Sequence, residues 1–113
     1  MHDPIARHPT RAEQLDILVT AVAETCPRDA NVLDLGCGTG YVGHLLAAKR
    51  PDLHFSGVDV SAEALDEART HLAGFQATPA LVHADLTQLA QLAPAQGSFN
   101  AIWSALTFHD LEH

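Results

Sequence analysis

The feature that most constrains this chain is a short apolar run, Asn31 to Leu35, stopped at once by Gly36-Cys37-Gly38-Thr39-Gly40 and followed directly by a helical pattern. Glycines let a backbone take positive φ and approach a ligand with no Cβ in the way, and a helix that follows them begins with unpaired N–H groups. Strand, glycine turn and helix in that order imply a buried strand whose carboxyl end is a place to hold a ligand.

The unit repeats. Tyr41 to Arg50 carries Val42, Leu45 and Leu46 on one face, with Pro51 as its stop. Leu53 to Val58 reads as a second strand ending at Asp59, Ser61 caps a helix bearing Leu65, Ala68 and Leu72, and Gly74 stands where that helix's C-cap is expected. Ala80 to His83 is a third strand, with Asp85 just beyond it. A weaker helix covers 86–93, Pro94 to Gly97 turn the chain, and Phe99 to Ser104 is a fourth strand. Ahead of all this, Thr10 and Glu13 have the form of a capping box, and Leu15, Leu18, Val19 and Val22 recur at helical spacing before Pro27. Strands alternating with helices imply right-handed crossovers and an α/β fold, a parallel sheet with helices on both faces. The reading is one domain over 1–113, with a leading helix in 1–28 and βα repeats over 29–110.

Fourteen carboxylates against six Lys and Arg give a net charge of -8, which repels phosphate backbones and anionic headgroups. Neither nucleic acid nor a membrane is expected as a partner. No run is long and apolar enough for a span, and no signal-peptide core is seen at the N-terminus. Cys26 and Cys37 lack CxxC spacing, so the expected setting is the reducing cytoplasm. The eight histidines are scattered without a familiar ligand spacing, and no metal is expected. Leu111-Glu112-His113 reads either as the start of an affinity tag or as natural sequence continuing from His109 and Asp110.

The chemistry is carried by three strand tips. The glycine loop follows the first strand. Asp59, at the tip of the second, can accept hydroxyl protons from a ribose, and Asp85, beyond the third, is placed for the edge of an adenine. Together they describe a nucleoside pocket. Val32-Leu33-Asp34-Leu35-Gly36-Cys37-Gly38-Thr39-Gly40 resembles the first motif of the class I (Rossmann-like) S-adenosylmethionine-dependent methyltransferases. Gly57-Val58-Asp59-Val60-Ser61, His83-Ala84-Asp85-Leu86 and Phe99-Asn100-Ala101-Ile102-Trp103-Ser104 resemble its later landmarks.

The resemblance implies a three-layer sandwich with strand order 3-2-1-4, S-adenosylmethionine as cofactor and S-adenosylhomocysteine as product. It places Gly36, Gly38 and Gly40 at the methionine moiety, with Cys37 a small filler between them. Asp34 would orient the loop or bind the amino group, and the bracing role alone is equally open for it. Asp59 would hold the ribose, with Val60 beside it in the cofactor site, Asp85 and Leu86 would meet the adenine, and Ser104 would line the region of the methyl group. Arg7 and His8 are weaker candidates for the carboxylate. His109 is read as an ordinary histidine rather than a base, and no catalytic residue is assigned.

Two other readings stand beside this one. Gly38-Thr39-Gly40-Tyr41-Val42-Gly43 spells GxGxxG, as in dinucleotide-binding folds, but its first glycine comes two residues late after the strand. In the register beginning at Gly36, Tyr41 replaces the third glycine. Family members recognise acceptors largely through later strands and loops, so a cofactor-binding module without turnover is the other alternative. The acceptor is expected to be a small molecule. The fourth strand, lacking Lys or Pro over 99–103, is expected to act as a sheet edge that self-associates as a dimer or by domain swapping.

Overall fold

A computed structural model of the chain describes residues 10–85 and 99–104. The elements in order are α1 (Arg11–Thr25), β1 (Asn31–Leu35), α2 (Tyr41–Lys49), β2 (His54–Asp59), α3 (Ala62–His71), β3 (Ala80–His83) and β4 (Ala101–Ser104). The strands form one sheet in the order β3-β2-β1-β4, and every pairing is parallel. This is the expected Rossmann-like order. β1 lies inside, with Asp34 opposite Gly57 on β2 and Trp103 on β4.

Alternation along the strands makes two faces. Val32, Phe55 and Trp103 share one cluster with Leu15, Val19 and Val22 of α1, Val42, Leu46 and Ala47 of α2, and Leu65 and Ala68 of α3. All three described helices therefore cover the same face. Phe55 is the aromatic centre of that layer, stacked on Phe75 at 5.3 Å between ring centroids and tilted against Trp103 at 6.2 Å. Fully burying each such side chain contributes roughly 1.5–3 kcal/mol. The other face carries Leu33, Val58 and Ala84, with Leu35 and Phe99 against them. The helix expected over 86–93 lies outside the described residues, as do the residues after Ser104.

Local signals explain the helix starts. Thr10 Oγ accepts the Glu13 N–H at 3.1 Å and donates to Glu13 Oε1 at 3.2 Å, a variant of the expected capping box. Ser61 Oγ accepts the Ala64 N–H and opens α3. Arg50, just after α2, closes α1 from a distance. Its Nη1 donates to the carbonyls of Ala23 (2.7 Å) and Cys26 (2.8 Å), and its Nη2 to that of Pro27 (3.0 Å). The same guanidinium holds Asp52 through two bonds of 2.9 Å, and with the Asp29 N–H it keeps the Asp52 carboxyl well below the usual carboxylate range. A cation at the last carbonyls of a helix also complements its dipole.

Gly74 does not cap α3. The helix ends at His71 with Leu72 as C-cap, and among the described residues the glycines at positive φ are Gly36, Gly38 and Gly40. Gly74 instead lets the turn after α3 approach α2, since a Cβ there would stand 3.3 Å from that of Ala47.

Gly43 is the tightest point of the helix layer. A Cβ on it would overlap Leu72 Cδ2 and stand 2.9 Å from two ring atoms of Phe55. Gly43→Ala gains about 1 kcal/mol of helix propensity but forces α2 off β2 and α3, at a cost of about 1–3 kcal/mol. The overlap wins because Leu72 and Phe55 are themselves buried and cannot swing away. The expected result is a lower denaturation midpoint with an unchanged denaturant slope; a raised midpoint would show that the layer gives way.

Candidate functional site

The loop between β1 and α2 is held by its own backbone. Gly36 N–H and Cys37 N–H both donate to the Val58 carbonyl, at 2.7 and 3.0 Å, so the chain leaving β1 stays pinned to β2. Gly40 N–H then donates to Cys37 O at 3.0 Å. Three left-handed glycines, with φ of 80, 57 and 86° at Gly36, Gly38 and Gly40, make that path possible. Gly40 is also the N-cap of α2 and supplies no side-chain cap, so the first turn of α2 keeps N–H groups without a side-chain partner.

Asp59 ties this loop to the start of α3. Its Oδ2 accepts the Gly38 N–H at 2.7 Å and its Oδ1 accepts the Ser61 N–H at 2.9 Å. A carboxylate has about four acceptor positions, so each oxygen retains one for a hydroxyl donor. The residue expected as a ribose ligand is thus also a brace. Val60 beside it is 57% exposed, an apolar side chain left facing outward at the tip of β2.

His83, which sequence reasoning passed over, pairs with Asp59 across β2 and β3. Its Nε2 lies 2.9 Å from the Val60 carbonyl and joins the two strand tips. A register between distant strands is needed to see this. Val60, His83, Ala84 and Asp85 line a hollow of about 380 Å³, within the ordinary range for a small-ligand site. On the other side of β1, Ser104 ends β4 opposite Leu35, the residue from which the loop departs. Leu86, Arg7, His8 and His109 lie outside the described residues.

Asp34 is wholly buried within β1, which favours the bracing role over direct contact with a ligand. Cys37 is buried too. Desolvation, followed by the charges of Asp34 and Asp59, pushes its thiol up to about 12. A thiol so disposed is a filler rather than a nucleophile.

The loop itself tests the fit of a nucleoside cofactor. A Cβ built on Gly38 would meet nothing within 4 Å, so this stretch of left-handed backbone faces open space, not protein. Open backbone, an acid at the tip of β2 and a hollow at the tip of β3 suit a ligand lying across the strand ends. A diphosphate fits less well, because the Gly38 N–H is already taken by a carboxylate. A second hollow of about 530 Å³, at the opposite ends of the strands, is lined by Arg28, Asp29, Arg50, Pro51, Asp52 and Gln76. Its Arg50 is committed to the contacts that close α1. Among the described residues no group of three or more His, Cys, Asp or Glu is arranged to hold a metal, and no helix is long and apolar enough to cross a membrane.

Comparison with known proteins agrees with the fold. A family model described as "Methyltransferase domain" matches residues 32–113. A ribosomal RNA small subunit methyltransferase C of Hamiltonella defensa is 36% identical over 83 residues, 74% of this chain and 23% of that protein. A malonyl-[acyl-carrier protein] O-methyltransferase of Laribacter hongkongensis is 38% identical over 84 residues, 68% of this chain and 27% of the relative. The chain thus spans about a quarter of the length of these relatives. The crystal structure of an SAM-dependent methyltransferase from Agrobacterium tumefaciens superposes with a TM-score of 0.64 at 27% identity, covering 88% of this chain and 32% of that one.

The Cys37 thiol gives this site a measurable pH signature. Its folded value of about 12 lies above the ordinary 9.0, so the folded state keeps a proton that the unfolded state releases above about pH 9. Stability is therefore fully present below pH 9 and declines as pH rises through about 12. Cys37→Ala should flatten that decline in denaturation curves taken between pH 8 and 11, relative to the parent. Equal slopes would mean that the thiol ionises as easily folded as unfolded.

Proposed function

Because the chain belongs to the methyltransferase domain family, of the class I S-adenosylmethionine-dependent kind, we propose that its three strand tips hold the cofactor and orient it for transfer of a methyl group to a small acceptor. When bound, S-adenosylmethionine supplies a methyl carbon already activated by a sulfonium, so alignment of an acceptor is the main task left to protein groups. The observation that carries the reading is the Asp59 carboxylate. It sits between Gly38 and Ser61 with acceptor capacity to spare, beside the open side of Gly38.

In this reading the backbone of Gly36, Cys37, Gly38 and Gly40 receives the amino-acid end of the cofactor, and Asp34 keeps the loop in place from within β1. Asp59 accepts from the ribose hydroxyls. Val60 lays apolar surface against the base, while Asp85, with Leu86 after it, meets the base's polar edge. Ser104 borders the methyl-bearing end. None of these residues moves a proton in the transfer, and a base is required only for an acceptor that begins protonated.

A small acceptor is favoured by charge. Net charge of -8 gives a nucleic acid no counterion-release gain, although one relative is named for ribosomal RNA and another for an acyl-carrier protein.

Calorimetric titration with S-adenosylhomocysteine, with NADH as comparator, tests the cofactor. One saturable site for the first and none for the second is expected. Asp59→Ala removes charge-assisted hydrogen bonds worth about 1.5–3 kcal/mol each, so affinity should fall by at least about tenfold. Its thermal midpoint, measured alongside, separates loss of a ligand contact from loss of the loop brace. Binding of NADH, or S-adenosylhomocysteine affinity unchanged in a folded Asp59→Ala variant, would overturn the assignment.

A further inference from the structure

Two exposed histidines meet behind the glycine loop, on the outer side of the helix layer. His44 is in the middle of α2 and His71 is the last residue of α3, and their ring centroids are 6.2 Å apart with planes tilted by 59°. Each ring is fixed through Nδ1 to a main-chain carbonyl. His44 Nδ1 lies 3.0 Å from His71 O, and His71 Nδ1 lies 2.6 Å from Thr39 O. A carbonyl can only accept, so both Nδ1 atoms carry a proton, and in each neutral ring the lone pair is left on Nε2.

That is how protein ligands to transition metals are prepared: one ring nitrogen donates to a carbonyl, which sets tautomer and orientation, and the other is the ligand. From these positions we propose that His44 and His71 form a binding site for a divalent transition metal of the nitrogen-preferring class, such as Zn²⁺, Ni²⁺ or Cu²⁺. Calcium and magnesium are excluded by chemistry, since both prefer oxygen donors.

Distances allow it. At a metal–nitrogen length of ~2.0–2.1 Å, two imidazoles bound through Nε2 have centroids about 5 Å apart at a tetrahedral angle and about 6 Å apart as that angle opens. The observed 6.2 Å lies close to the upper end of that range, so the separation of these two solvent-exposed rings is compatible with one shared metal. Thr39, Tyr41, His44 and His71 line a hollow of about 170 Å³, so water can complete the coordination. The site is invisible to sequence spacing because its ligands stand 27 residues apart and meet only when α2 and α3 pack. It is separate from the cofactor proposal, although metal on His71 Nε2 would strengthen the Nδ1–H bond to the Thr39 carbonyl.

The test is a titration of the protein with Zn²⁺ alone, followed by calorimetry, on the parent chain and two variants. In the first, His44→Gln and His71→Gln are combined; in the second, His109→Gln and His113→Gln are combined as a control for histidines elsewhere, since those two stand four residues apart. The expected result is a saturable site weakened at least about tenfold in the first variant and retained in the second. An unchanged site in a folded first variant, or no saturable binding by the parent, overturns the proposal. Cu²⁺ added to isotope-labelled parent protein provides a readout that needs no variant. Amide signals of residues 39–44 and 70–72 should broaden first, and broadening centred elsewhere also overturns it.

Discussion

The arrangement rests on a single carbonyl and a single carboxylate. Val58 O accepts the N–H groups of Gly36 and Cys37, and Asp59, the next residue, accepts those of Gly38 and Ser61. Four donors from the glycine loop and the start of α3 thus converge on the last two residues of β2. Loop groups that would otherwise lack partners at the end of a buried sheet are satisfied, and unmet buried donors cost about 1–3 kcal/mol each. The shape of the loop, the start of α2 and the orientation of α3 follow from that convergence.

Under the proposed function it also gives Asp59 two jobs that reinforce each other. A carboxylate already oriented by two main-chain donors needs no reorganisation to receive hydroxyl groups, so little ordering entropy remains to be lost on binding. The chemistry needed from such a pocket is equally spare. An activated methyl carbon requires alignment and exclusion of competing nucleophiles, which backbone and packed apolar residues can supply without a titrating side chain. The buried, protonated Cys37 fits that picture: it fills space under the loop against Gly57, whose absent Cβ would stand 2.7 Å from its sulfur.

The helix layer on the far side of the loop has its own logic. Gly43 lets α2 sit directly on Phe55 and Leu72, and this close approach brings His44 beside the last turn of α3. His71, at the end of that turn, reaches the Thr39 carbonyl inside the glycine loop. The third glycine of the apparent GxGxxG is therefore accounted for by packing between α2, α3 and β2. Tyr41, which stands where a dinucleotide register would need a glycine, is 53% exposed.

Much of this was legible from the residues alone. The apolar runs and their stops determine the strands and helices to within a residue or two, because burial period and capping are local properties: β1 and β3 fall on the expected bounds, and Thr10 and Ser61 cap as their positions require. The glycine loop and Asp59 were equally plain, since positive φ and an acid at a strand tip are conditions on single residues. Tertiary structure alone decided what depends on register and on which faces meet. It buried Asp34 between Gly57 and Trp103, placed His83 against Val60, ended α3 before Gly74, turned Asp59 into a brace, and set His44 beside His71. Those contacts join residues far apart in the chain, and no periodicity or spacing encodes them; they exist only once parallel strands have chosen their partners and the helices have packed over them.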